Sequence, residues 1–201
     1  MGQYIFNCDL TSYTGQLFIQ DAKTFLAACC DNLKNITSSN MDLRTKALDQ
    51  ERIIAEYSKK YYKESTPNRI WLNKPFPGTH HDLIFGDFFL SYFTIYLDLK
   101  MSNEHIALIS ENSIEGFNSF DVDSNFRSPR YYYLCVNIET REALIVQHLY
   151  LYELIKTNKI KYQKYLESDK SASFFIGESR FNEILNNPEL YDPAKIVKFK
   201  F

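Results

Sequence analysis

The stretch that decides the fold is Asp82-Leu83-Ile84-Phe85-Gly86-Asp87-Phe88-Phe89-Leu90-Ser91-Tyr92-Phe93-Thr94-Ile95-Tyr96-Leu97-Asp98-Leu99-Lys100. It is dense in Phe, Tyr, Ile and Leu, the residue types that suit a pleated, half-buried surface. With a bend inside it, the stretch reads as a hairpin whose second strand ends in Asp98-Leu99-Lys100. Alternate side chains of a strand face opposite ways, so Asp98 and Lys100 share one face while Leu97 and Leu99 share the other.

Charged groups on so apolar a strand are costly to bury unless each finds a partner or a metal. The mouth of a cleft holding a divalent cation meets that need. Mg²⁺ takes oxygen ligands, generally one or two carboxylates with waters and phosphate oxygens, so a second carboxylate is expected. Two stand upstream. A bend at Gly86-Asp87 selects Asp82. A bend near Tyr92-Phe93 sets Asp87 opposite Asp98 instead, and this cross-strand geometry makes Asp87 the preferred of the two.

Outward from the hairpin, residues 21–35 read as a helix, with Phe25, Leu26, Ala28, Cys29 and Leu33 at spacings near three and four. Asp42 is the expected N-cap of a longer helix over about 43–65. Leu43, Ala47, Ile54, Tyr57 and Tyr61 fall on one face of it, with Glu51 beside them. Tyr131-Tyr132-Tyr133-Leu134-Cys135-Val136-Asn137-Ile138 lacks polar alternation and predicts a strand inside a sheet. Leu144-Ile145-Val146 fits another strand, in competition with a helix through Leu149, Tyr152 and Ile155. Ser173-Phe174-Phe175-Ile176 is a short strand, followed by a helix near 178–186 that Asn187-Pro188 ends. Helices leading and trailing a mixed sheet predict an α/β domain.

The chain has 201 residues, enough for one domain with a sizeable core. Fifteen Tyr and 16 Phe against 6 Gly and 6 Pro argue against disorder. No apolar run reaches the ~18–20 residues that cross a bilayer, and no secretory signal opens the sequence. The four cysteines form no CxxC pair. Cys29 and Cys30 sit in an apolar helical pattern, which suits reduced thiols and a cytoplasmic protein. The net charge of −2 gives no support to nucleic-acid binding and does not exclude it.

Residues 82–100 resemble the PD-(D/E)xK nuclease family, whose signature is an acid, a spacer, then Asp or Glu, one residue, and Lys on adjacent strands. The closing element stands here as Asp98-Leu99-Lys100; the opening Pro-Asp is absent, because Asp82 follows His81 and Asp87 follows Gly86. The resemblance covers about 43–140. It implies a restriction-endonuclease-like mixed sheet flanked by helices, in a single domain over 1–201, with the C-terminal part serving DNA recognition or dimerisation. It also implies phosphodiester hydrolysis in which two Asp hold Mg²⁺ and Lys100 orients the attacking water. Glu51 is the match for a helical Glu near the metal. A short chain of this class looks most like a type II restriction endonuclease, paired as a homodimer on double-stranded DNA. A repair or junction-resolving nuclease is the enzymatic alternative, and a non-catalytic interaction protein the other.

The plainer readings stand beside these. A D-x-K string alone decides nothing, since Asp21-Ala22-Lys23 repeats it at what reads as an exposed helix start. Asp98 and Lys100 would be a solvated pair if their strand were an edge. His80-His81 reads as loop polarity and His148 as structural. Tyr131 to Tyr133 suit a core better than base stacking. Arg127 and Arg130, in a loop before that strand, are candidates for phosphate or guanine contacts.

Overall fold

The computed structural model describes residues 9–37, 39–42, 45–46, 48–50, 52–54, 56–57, 68–72, 83–87, 94–105, 107–110, 131–166 and 172–201. Glu51, His80, His81, Asp82, Arg127 and Arg130 lie outside them.

Helix α1 runs Tyr13–Thr37 and starts two turns before the expected residue 21. The reason is local. Ser12 caps it, its hydroxyl accepting from Gly15 N at 3.1 Å, while Asp9 Oδ1 accepts from Thr11 N at 2.7 Å. A side chain at Gly15 would bring its Cβ within 2.4 Å of Asp9 O, so only glycine allows this entry. Asp21 and Lys23 are thus mid-helix residues. Asp42 caps the next helix as its sequence predicts, accepting from Thr45 N at 3.0 Å, and the described residues from 45 to 57 are helical.

Among the described residues, six strands form the main sheet, in the order β1 (Asn68–Leu72), β2 (Leu83–Asp87), β3 (Thr94–Ser102), β5 (Tyr131–Asn137), β6 (Glu142–Gln147) and β9 (Ile196–Lys200). The β3–β5 pair is parallel and the other four pairs are antiparallel, so the sheet is mixed. Strands β4 (Ala107–Ser110), β7 (Gln163–Leu166) and β8 (Ala172–Ile176) make a second, antiparallel sheet in the order β4-β8-β7. Helices α2 (His148–Lys156) and α3 (Glu178–Asn186) complete the described elements. The chain is an α/β protein with helices on a mixed central sheet, as its sequence predicts.

Each face of the main sheet has its own core. On one side, Phe18, Phe25, Leu26 and Leu33 of α1, with Ile53 and Ile54, pack on Leu97, Leu99, Tyr132, Leu134 and Ile145. On the other, Leu151, Leu154 and Ile155 of α2 and Phe181 and Ile184 of α3 pack on Tyr131, Tyr133, Cys135, Leu144 and Val146. Every residue of β5 is buried, which is why it shows no polar alternation. The competing strand and helix readings of 142–156 are both realised, since β6 passes directly into α2. That helix ends in a Schellman turn. Asn158, at φ 54°, donates to Ile155 O at 3.0 Å, and Lys159 N donates to Leu154 O at 2.9 Å. Strands β6 and β9 make the C-terminal region integral to the central sheet.

Candidate active site

Strand β3 is third of six and is covered on both long sides by β2 and β5, so Asp98 and Lys100 are not on an edge. The solvated-edge reading is therefore set aside. Parallel register pairs Asp98 with Tyr133 and Lys100 with Cys135, while Leu97 and Leu99 pair with Tyr132 and Leu134. Side chains at paired positions share a face, so the two charges stand on the α2–α3 side and the leucines under α1. Lys100 Nζ lies 2.6 Å from Asp98 Oδ1, with the Asp98 side chain 13% exposed and that of Lys100 29%. An ion pair taken this far out of water gains little net stability after desolvation.

The charge of Asp98 reaches the groups behind it. Burial first, then Asp98, pushes the Tyr133 hydroxyl well above its ordinary range. Burial likewise pushes the Cys135 thiol up, with Asp98 adding and Lys100 opposing. Neither is ionised near neutrality, so neither serves as a thiolate or phenolate. Tyr133 Oη lies 2.7 Å from His148 Nδ1, and that ring is fully buried. Burial lowers the His148 pKa to about 3, so the imidazole is neutral. His148 is a structural residue, as its place in the sequence suggested, and the three tyrosines 131–133 are core.

The register of the hairpin decides where its acids go. Leu83 pairs with Leu97, Ile84 with Tyr96, Phe85 with Ile95 and Gly86 with Thr94. Gly86 and Asp87 are therefore strand residues rather than a turn, and Asp87 pairs with Asn68 of β1. The expected position of Asp87 opposite Asp98 is not what forms. Asp87 stands one residue past the Gly86–Thr94 pair, some five residues or ~17 Å along the strand from Asp98. Asp82, in contrast, adjoins Leu83, whose partner Leu97 adjoins Asp98.

Among the described residues no three His, Cys, Asp or Glu side chains gather into a metal-holding group. Asp98 carries hard oxygen donors of the kind Mg²⁺ takes. One polar linkage had no advance signal in the sequence. His105, 1% exposed just after β3, lies with Nδ1 3.4 Å from Glu178 Oε1, and its backbone N donates to Glu178 Oε2 at 3.3 Å. This ties the start of α3 to the end of the strand that carries Asp98. Only the three-dimensional pairing across 73 residues reveals it.

No protein-family model matches the sequence, and no curated protein matches it. A solved structure described as D212, a nuclease from a fusselovirus, is 18% identical over 71% of this chain and 88% of that one, with a TM-score of 0.39. A likeness that slight carries no assignment. No described helix is long and apolar enough to cross a membrane.

Proposed function

We propose that this chain is a Mg²⁺-dependent endonuclease in which Asp98, Asp82 and Lys100 form the reaction centre. The observation that carries the reading is the half-buried Asp98–Lys100 pair on a central strand, one residue past the Leu83–Leu97 pairing that leads back to Asp82. Two carboxylates there suit a hard divalent cation, which when bound would polarise a phosphodiester and lower the pKa of a water. Lys100 holds Asp98 in place and offers its ammonium to the negative charge that develops on the phosphoryl oxygens. The face behind the pair, with neutral His148 and un-ionised Tyr133 and Cys135, adds no competing charge.

The finer reading is a type II restriction endonuclease, acting as a homodimer on a short sequence in double-stranded DNA. Glu51 is its accessory acid, and Arg127 and Arg130 make contacts to phosphates or bases. Phage and plasmid DNA incubated with Mg²⁺ test both levels. Discrete fragments that vanish in Asp98→Ala and Lys100→Ala proteins support the specific enzyme. Cutting confined to branched or mismatched DNA assigns a repair nuclease, and cutting by both variants at the parent's rate removes the site.

A further inference from the structure

Away from Asp98, a cleft of about 120 Å³ opens between the second sheet and the start of α3. Its lining carries Lys161, Tyr162, Gln163, Phe175, Ser179 and Arg180, with Gly177 among them. The β7–β8 register explains the grouping, because Gln163 pairs with Phe175 and so brings the residues before β7 beside those after β8. The lining has two cations, an amide and a hydroxyl, all able to donate hydrogen bonds, beside two aromatic rings. Of the described acids on α3, Glu178 is turned onto His105, while Glu183 lies 2.8 Å from Arg180 Nη1, an exposed pair in which the guanidinium keeps further N–H donors for an anion. A Cβ at Gly177 would meet a Phe175 ring carbon at 3.0 Å, so glycine lets the backbone pass close to that ring. Ile176 and Phe181, which flank the cleft in sequence, belong to the same core as Tyr133 and Cys135, so it lies on the Asp98 side of the main sheet.

We infer that this cleft is a phosphate-binding site, and that it anchors a backbone phosphate of a nucleic-acid strand at a distance from the reacting bond. Two cations on the cleft walls, with hydroxyl and amide groups able to donate, suit a phosphate's acceptor oxygens, and Tyr162, 39% exposed, offers a ring to an adjoining sugar or base. The choice of a strand over a free nucleotide rests on the nuclease reading. The phosphate chemistry does not.

The test is the affinity of the full chain, in EDTA, for a labelled 20-base-pair duplex and for a mononucleotide, across a salt series. Lys161→Glu with Arg180→Glu is expected to weaken duplex binding about tenfold or more and to lower the salt slope by about 1, one phosphate's share. Lys34→Glu with Arg52→Glu, an equal charge change on the α1 side, is expected to alter it less than about threefold. Loss of mononucleotide binding alone would keep the phosphate site and give it a free nucleotide. Unchanged binding of both ligands in a variant that melts like the parent overturns the inference, as does an equal loss in the control. Lys161→Gln with Arg180→Gln repeats the test should the charge reversals not fold. Because no metal is present and nothing is cut, failure here leaves Asp98 untouched. An Asp98→Asn protein that still cleaves would instead remove the reaction centre assigned to Asp98 and leave the cleft standing.

Discussion

The two faces of strands β3, β5 and β6 come from the same residues taken alternately, yet they differ in kind. The face under α1 is apolar along its centre, with Leu97, Leu99, Tyr132, Leu134 and Ile145 buried against helical Phe and Leu side chains and Gln147 at the β6 end. The opposite face interleaves its apolar residues with Asp98, Lys100, the Tyr133–His148 hydrogen bond and, past the strand end, His105 with Glu178. One face fixes the sheet through packing, which tolerates no charge. The other gives up some of that packing to hold polar groups in set positions, which an apolar replacement would not do. A strand's period of two lets one sequence serve both ends.

Breaking the packing face should be the costlier change to stability. Tyr132 is fully buried and meets Phe18 edge-on at 6.3 Å between centroids. Tyr132→Ala should destabilise by about 3–5 kcal/mol in denaturant unfolding while the folded fraction keeps its cleavage rate. An equal loss of cleavage per folded molecule would erase the distinction between the faces.

Acid probes the polar face next. His148 titrates near 6.5 when unfolded and near 3 when folded. The unfolded chain therefore binds the extra proton between those values, and the neutral ring's contribution, complete above about 6.5, is lost as pH falls toward 3. Stability should decline from pH 6.5 to 4.5 in the parent and less steeply in His148→Gln. Parallel slopes would show that the ring stays hydrated. Asp9 and Glu142, held below the ordinary carboxylate range by bonds from Thr11 and Lys198, lose their contributions lower still.

The smallest expected effect lies on neither face. Asn158 occupies the left-handed region at φ 54° in the turn after α2. Asn158→Gly should raise stability by a few tenths of a kcal/mol, up to about 1, and Asn158→Val should lower it, as thermal melts will read. A Val variant as stable as the parent would remove the role given to that turn.

What the sequence made legible follows this division. Uninterrupted apolarity announced β5, and the Asp42 cap and the Asn187-Pro188 stop marked two helix ends. Strands β1, β7 and β9 left no such trace. Ile196-Val197-Lys198-Phe199-Lys200 is an edge whose lysines reach Glu142 on its neighbour, a pairing that local pattern does not encode. In the site, Asp98 and Lys100 were legible because charge is out of place on an apolar strand. The choice of second acid was not, since it depends on which residues turn. Gly86 suggested the turn itself, whereas it is a β2 residue paired with Thr94.

The most direct measurement is the rate of Mg²⁺-dependent plasmid cleavage by Asp98→Asn, Asp82→Asn and Asp87→Asn proteins, compared side by side at matched folded fraction. The register predicts a loss of about a hundredfold or more in the first two, the scale of removing a group that acts on developing charge, and a rate close to the parent's in the third. Parent-like cleavage by Asp98→Asn, or a loss at Asp87 with Asp82 spared, would contradict it.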